Sequence, residues 1–171
     1  MNLEDKITSR EIGDLLYASG LSVGTAESCT GGRIAEGIIA IPGASNYFKG
    51  GVIAYSDEVK ENILHVNTET LKEHTAFSEE VAKEMVSGAI DALNVSYAIA
   101  STGVAGPSGA LPGIPVGTIW IACGTKDDIV IEKLSLDYGR DINLAIATGK
   151  ALHLFLTYLK ERNITVEVAE E

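Results

Sequence analysis

The chain has 171 residues, of which 46% are hydrophobic and 22% are charged, and its formal net charge is −11. A chain this apolar can bury enough surface to offset the entropy lost on folding, which excludes an intrinsically disordered protein. The 24 acidic residues outnumber the 13 basic ones and would repel a phosphate backbone, so we expect no nucleic-acid partner.

The cysteine content and the first residues set the expected compartment. Two cysteines, Cys29 and Cys123, are too few for a disulfide framework and lack the C-x-x-C spacing of a zinc or redox site. Residues 1–6 contain no basic region followed by an apolar run, and no stretch reaches the roughly 20 apolar residues of a membrane span. We therefore expect a cytoplasmic protein with no membrane partner.

The first half of the chain predicts alternating helices and strands. The capping-box spacing of Thr8 and Glu11 predicts a helix over residues 9–19. A short alternating segment predicts a strand over 21–26, after which a glycine pair leads into an apolar helical stretch. The next predicted elements are a helix over 34–41, a strand over 48–55, a short helix after Ser56-Asp57 and another that starts at Asn67-Thr68.

The second half of the chain continues this alternation. Ser78 and the two acids that follow it predict the start of a helix with apolar residues at helical spacing. The remaining predicted elements are a strand over 95–100, a glycine- and proline-rich loop over 102–115, two strands over 116–125 and 129–136, and a final helix over 141–159. Interleaved helices and strands without a repeat predict a single-domain α/β protein, an α/β/α sandwich with a mixed sheet between helices.

The first candidate site is the segment 26–32 (AESCTGG), where a strand passes into a helix. Such junctions direct backbone N–H groups at a ligand or a developing oxyanion. The simpler alternative is that Ser28 or Thr30 caps the helix and the two glycines form the turn. Cys29 has no histidine nearby in sequence, so we interpret it as a packing residue and not as a nucleophile.

The second candidate is the pair Tyr55 and Lys60, placed at the end of a strand and in the first turn of the next helix. A phenol and an ammonium can shuttle a proton from a serine hydroxyl when the lysine is partly desolvated. The alternative is an exposed lysine and a tyrosine at a strand edge.

The third candidate is the loop that begins at residues 101–109 (STGVAGPSG), directly after a predicted strand. Ligands of open α/β sheets bind at the carboxyl ends of strands, but the even glycine spacing does not match a dinucleotide fingerprint. Arg140 precedes the last predicted helix, where it either holds a phosphate or lies free on the surface. The three histidines share no metal-ligand spacing, so we expect no metal site.

Four ordered motifs together resemble the CinA C-terminal domain family. They are residues 26–32, residues 50–56 (GGVIAYS) with Lys60, residues 101–107 (STGVAGP) and residues 115–118 (PVGT). The similarity extends from about Ile12 to Leu159. It implies a nicotinamide-nucleotide amidohydrolase, which converts nicotinamide mononucleotide to nicotinic acid mononucleotide and ammonia in pyridine-nucleotide salvage, without a metal or other cofactor.

The resemblance also implies roles for individual residues. Ser28 is the implied nucleophile, and Tyr55 and Lys60 are the implied proton acceptors and donors. The implied remaining groups are the main chain of Thr30, Gly31 and Gly32 for the oxyanion, Thr102, Gly103, Ala105 and Gly106 for the substrate, and Arg140 for its phosphate. This chain departs from the family pattern at Ala110, where a glycine is common, and at Asn143, near which the family commonly has a second arginine.

The domain and partner predictions complete the expectations. We expect an amidohydrolase domain over residues 1–162, followed by an acidic tail over 163–171. The resemblance implies a homo-oligomer whose one small-molecule partner is the nucleotide substrate. The alternatives are a mononucleotide-binding module of the same fold, with other specificity or without catalysis, and an interaction protein.

Overall fold

Five strands lie in one sheet of the computed structural model, which describes residues 2–135, 137–162 and 164. They are β1 (Val23–Glu27), β2 (Phe48–Ile53), β3 (Tyr97–Gly103), β4 (Thr118–Gly124) and β5 (Ile129–Ser135). The strand order is β2-β1-β3-β4-β5, in which β1 is parallel to β2 and β3, whereas β4 is antiparallel to β3 and β5. Of the predicted tail over 163–171, only Ile164 belongs to the described residues.

Helices cover both faces of this sheet. Those of the described residues are α1 (Leu3–Ser19), α2 (Arg33–Ile39), α3 (Asp57–Leu64), α4 (Thr68–His74), α5 (Glu79–Leu93) and α6 (Arg140–Glu161). One core joins α1, α2 and α6 to the large side chains of the sheet, and a second joins α3 and α5 to its alanines. The predicted α/β class, with a mixed sheet between helices, is confirmed.

The alternating side chains of β3 show how the two faces of the sheet differ. Tyr97 and Ile99 point toward the α6 side, whereas Ala98 and Ala100 point toward α5. Side chains of a strand alternate between the two faces of its sheet, so this sequence places bulk on one face and methyl groups on the other. The small face allows α5 to approach the parallel strands closely.

Two of the element boundaries that differ from the expectations are those of α1, whose capping residue was not recognised, and of β2, which ends earlier than the apolar run. Asn2 and Asp5 form the capping box of α1, which therefore begins at Leu3, and Thr8 and Ser9 are buried inside the helix. Strand β2 ends at Ile53, because the chain leaves the sheet before Ser56 caps α3. Side-chain caps satisfy N–H groups that a helix start leaves without an intrahelical acceptor.

Helix α6 is long and apolar enough to cross a membrane when judged by length and composition alone. Its apolar residues, however, pack in the core, and Leu144, Ala147, Ala151 and Phe155 are each at most 1% exposed. Its hydropathy is therefore that of a core helix.

Substituting Gly88 by alanine should destabilise the protein. A Cβ at this position of α5 would lie 1.9 Å from the carbonyl oxygen of Leu64, the last residue of α3. Backbone cannot yield as a side chain does, so we expect a loss of about 1–3 kcal/mol in the free energy of unfolding, measured by urea denaturation.

Gly149→Ala in α6 is the matched control. Its Cβ would meet the carboxylate end of Asp5, a flexible side chain, at 2.7 Å. Alanine is favoured over glycine inside a helix by about 1 kcal/mol, so this variant should be close to the parent in stability. Equal urea midpoints for Gly88→Ala and the parent would contradict the described α3–α5 contact.

Candidate active site

The carboxyl ends of β1, β2 and β3 meet at one edge of the sheet. Glu27, the last residue of β1, is paired in register with Ile53 of β2 and with Ser101 of β3. Ser28 follows directly, is 5% exposed, and donates its backbone N–H to the carbonyl of Ser101 at 2.9 Å. The central parallel strand therefore delivers Ser28 to the edge where open α/β sheets bind ligands.

The Glu27 carboxylate is the polar centre of the turn after β1. It is 1% exposed and accepts from the Thr30 hydroxyl at 2.6 Å and from the N–H groups of Gly32, Ile34 and Ala35 at 2.9, 3.1 and 2.8 Å. The N-cap of α2 is Gly32, which has no side chain to offer, so Glu27 supplies the acceptor from the strand end.

Glu27 had no role in the expectations drawn from sequence. The signal that identifies it is a glutamate a few residues before a helix whose cap position is a glycine. An acidic side chain there can satisfy the exposed N–H groups and the positive end of the helix. The simpler reading of the segment, with Ser28 or Thr30 as the helix cap, is accordingly wrong, since Glu27 performs that function.

Two of the three expected oxyanion donors are already engaged. The Gly32 N–H donates to Glu27 at 2.9 Å, and the Gly31 N–H donates to the carbonyl of Ser28 at 3.2 Å. The expectation for these two glycines therefore needs correction. The N–H of Thr30 makes no hydrogen bond to another backbone group within the described ranges but faces the Cys29 thiol, and its role as an oxyanion donor stays a prediction.

Lys60 is a buried lysine in α3. Its side chain is 1% exposed, and Nζ lies 3.6 Å from Oδ1 of Asp57, a carboxylate that is itself 61% exposed. Burial lowers the pKa of Lys60, and the smaller opposing effect of the Asp57 carboxylate does not cancel this. Helix α3 begins four residues after Ile53, the last residue of β2, which is paired with Glu27, so Lys60 belongs to the helix that starts at the same edge of the sheet as Ser28.

Tyr55 lies at the rim of the same edge. It follows the end of β2 by two residues and is 64% exposed. Ile53, the last residue of β2, is also exposed, at 56%. The structure thus buries Ser28 and Lys60 but leaves Tyr55 open to solvent. Its role in proton transfer stays a prediction.

Cys29 should resist alkylation in the folded protein. The thiol is 6% exposed, and burial raises its pKa to about 11, so very little thiolate forms at neutral pH. We expect iodoacetamide at pH 7.5 to leave Cys29 unmodified, as measured by intact mass.

Cys123 provides an internal comparison, because burial also raises its pKa and it is 0% exposed. Both cysteines should be alkylated once guanidinium unfolds the chain. Rapid modification of Cys29 in native buffer would contradict its assignment as an unreactive packing residue.

The last two residues of β3 are buried and hold the backbone in place, so the loop that was expected to begin at Thr102 begins after Gly103. Thr102 is 0% exposed and donates its hydroxyl to the carbonyl of Ala76 at 2.6 Å. Gly103 has φ +154°, and a Cβ there would lie 2.3 Å from the carbonyl oxygen of Thr118. Thr102 therefore ties the loop before α5 to the sheet edge, and Gly103 allows β4 to approach.

Two side chains at the start of α6 hold the same loop from the other side. Arg140 donates from Nη1 to the carbonyl of Gly106 at 2.9 Å, and Asn143 donates from Nδ2 to the carbonyl of Ala105 at 3.0 Å. Arg140 is the first residue of α6 and is exposed, whereas Asn143 is fully buried. Asn143 therefore makes a structural contact to the loop.

One cleft lies away from these residues. It measures about 560 Å³ and opens between α1, α2 and α6, and Ser28, Tyr55 and Lys60 do not line it. Within the described part of the chain, no three His, Cys, Asp or Glu side chains gather as a metal-binding group.

Comparison with known proteins matches the chain to one family. A family model described as the CinA C-terminal domain matches residues 5–159. A CinA-like protein of Shewanella pealeana is 37% identical over 163 residues, which are 95% of this chain and 38% of that protein. A CinA-like protein of Leptospira borgpetersenii is 48% identical over 118 residues, which are 69% of this chain and 28% of that protein.

Solved structures agree with the sequence relatives. The competence damage-inducible protein A of Klebsiella pneumoniae superposes with a TM-score of 0.87 at 34% identity, covering 91% of this chain and 97% of that one. A CinA superfamily protein of Escherichia coli gives a TM-score of 0.88 at 32% identity, covering 93% and 94%. This chain spans less than two fifths of the two curated CinA-like relatives above. It belongs to the CinA C-terminal domain family.

Proposed function

We propose that this chain hydrolyses the carboxamide of nicotinamide mononucleotide, giving nicotinic acid mononucleotide and ammonia, with Ser28 as the nucleophile. One observation carries the proposal: Ser28 is buried at the carboxyl end of the central parallel strand, and the helix that starts at this edge, after the neighbouring strand β2, holds a buried lysine of lowered pKa. A desolvated lysine can be neutral near working pH and can then accept the proton of a serine hydroxyl. The family resemblance supplies the substrate.

The proposed first half-reaction forms an ester and releases ammonia. Ser28 Oγ attacks the amide carbon while its proton passes to Lys60 Nζ, and the Thr30 N–H stabilises the oxyanion. When the tetrahedral intermediate collapses, the C–N bond breaks and the proton on Lys60 passes to the departing nitrogen. Tyr55, at the rim, would assist this proton transfer.

The proposed second half-reaction returns the free enzyme. A water molecule attacks the ester carbonyl and gives one proton to Lys60. When the bond between the acyl carbon and Ser28 Oγ breaks, Lys60 returns that proton to Ser28, and the acid product releases its remaining proton to solvent and leaves as the carboxylate. The end of β3 and the loop after it would enclose the nucleotide, with Thr102, Gly103, Ala105 and Gly106 in their backbone wall. The exposed guanidinium of Arg140 uses one nitrogen on Gly106, and its other nitrogens would contact the phosphate.

The test is ammonia release from nicotinamide mononucleotide by the purified protein, with and without a chelator. Release that survives the chelator and yields nicotinic acid mononucleotide supports a serine amidohydrolase. A folded protein that binds the nucleotide, as measured by calorimetry, but releases no ammonia would instead be the binding module. In the cell we propose a cytoplasmic homo-oligomer.

A further inference from the structure

Three side chains form a hydrogen-bonded group around the turn that carries Ser28. We call this group, made of Glu27, Thr30 and Ser101, the Glu27 network. Thr30 Oγ1 lies 2.6 Å from Glu27 Oε2 and 2.6 Å from Ser101 Oγ, and the three residues are at most 1% exposed. The proposed mechanism uses the backbone N–H of Thr30 but assigns no task to these side chains.

The direction of each hydrogen bond in the Glu27 network follows from counting protons. Glu27 acts as an acceptor in all of its contacts, so Thr30 donates its one hydroxyl proton to the carboxylate. The oxygen of Thr30 must then accept the proton of Ser101, since two hydroxyl oxygens at 2.6 Å need a hydrogen between them. The sequence of donation is Ser101 to Thr30 to Glu27.

The Glu27 network and the backbone together hold both sides of Ser28. Ser101 receives the Ser28 N–H on its carbonyl and donates its hydroxyl to Thr30, so one residue of β3 binds the turn at two points. Glu27, on the other side of Ser28, is fixed by β1 pairing and by the start of α2. The turn is thereby attached to two strands and one helix, and the Ser28 hydroxyl itself lies outside this network.

We propose that the Thr30 side chain is a positioning residue for the nucleophile, acting through the Glu27 network to hold Ser28 in its reactive geometry. This inference rests on the proposed function for its kinetic readout. The hydroxyl is needed because Thr30 must donate and accept at once, and valine, which has nearly the same shape, can do neither. Buried hydrogen-bonded groups that lose a partner leave the others unsatisfied, so the turn would shift.

Thr30→Val should lower kcat by about 100-fold, the effect expected of a displacement of roughly 1 Å at the reacting atom. KM should change little, because the nucleotide contacts lie on the loop after β3. Thr30→Ser, which restores the hydroxyl, should return most of the lost kcat. Thr148→Val is the matched control, since Thr148 donates to Leu144 within α6 at 2.8 Å and is 9% exposed; its kinetic constants should equal those of the parent.

A second readout separates this inference from the proposed reaction. A fluorophosphonate probe, which reacts with nucleophilic serines without any nucleotide, should label Ser28 more slowly in Thr30→Val than in the parent, as measured by intact mass. If the parent releases no ammonia, the proposed function fails, and the labelling rates alone still decide the role of Thr30. Slower labelling supports the positioning role, and equal rates, including no labelling in either protein, overturn it.

The kinetic arm has equally definite outcomes. An active parent with an unchanged kcat in Thr30→Val overturns the inference, and so does a Thr30→Ser variant as impaired as Thr30→Val. A loss in kcat/KM that comes entirely from a higher KM, with kcat unchanged, would also overturn it. If near-ultraviolet circular dichroism shows that Thr30→Val does not fold, Ser101→Ala replaces it, because it removes the other donor of the Glu27 network and keeps the Ser28–Ser101 backbone bond.

Discussion

Substituting Ser28 by alanine should abolish ammonia release from nicotinamide mononucleotide, with a loss of about 10⁴-fold or more in kcat. The reason is that the covalent route needs the Ser28 oxygen, and the adjacent thiol of Cys29, whose pKa burial raises to about 11, cannot replace it at neutral pH. The fold should survive, because Ser28 is fixed through its backbone N–H and the substitution leaves that bond intact. Initial rates of ammonia release measure the effect.

Ser9→Ala is the matched control for Ser28→Ala. Ser9 is 1% exposed, and its hydroxyl has no hydrogen-bond partner among the described residues. Removing that hydroxyl should reduce neither activity nor stability, since no buried contact is lost.

The covalent intermediate gives a second test of Ser28. Parent protein quenched with acid during turnover should carry the nicotinate mononucleotide acyl group on Ser28. Full activity in Ser28→Ala would refute the serine mechanism and require another nucleophile.

Local sequence patterns predicted the elements that bring Ser28 and Lys60 to the site. A short strand followed by a glycine pair placed Ser28 at a strand-to-helix junction, and Ser56 marked the start of the helix that carries Lys60. These signals act over a few residues, because caps and turns depend on neighbouring backbone. The mixed sheet also followed, from the alternation of helices and strands.

Contacts between distant segments could not be predicted in the same way. The pairing of Glu27 with Ser101 depends on β1 and β3 becoming neighbours, and only then can Thr30 bridge them. Asn143 likewise holds Ala105 across 38 positions of sequence. Burial of a long polar side chain is also a tertiary property. A lysine such as Lys60 is usually exposed, so spacing alone left its desolvation open.

Replacing Lys60 by methionine should lower kcat/KM by about 10²- to 10⁴-fold, the range for losing a general base. Lys60→Arg should be equally impaired, because arginine stays protonated at every working pH. The free energy of unfolding of Lys60→Met should be equal to or above that of the parent, since an apolar side chain replaces a buried ammonium. Lys72→Met, at a position that is 64% exposed, is the matched control and should be fully active.

Stability should also depend on pH through Lys60. Burial lowers the pKa of Lys60 in the folded protein, so the unfolded chain binds the proton more tightly. Stability therefore rises with pH between the folded pKa and the ordinary lysine pKa, where the unfolded state holds more protons. Urea denaturation across alkaline pH should show this rise in the parent and a smaller one in Lys60→Met.

The activity of the parent should rise with pH along a limb whose midpoint lies below the ordinary pKa of a lysine, because only neutral Lys60 accepts the serine proton. A substitution at Asp57 tests whether Lys60 is the group that titrates in this limb. Its carboxylate, 3.6 Å from Nζ, raises the pKa of Lys60, so Asp57→Asn should move the limb to lower pH while Ser28 remains in place. A limb that does not move, or that moves to higher pH, would exclude Lys60 as the base. Removing a negative charge beside a lysine lowers the pKa of that lysine, so a limb set by Lys60 must move to lower pH.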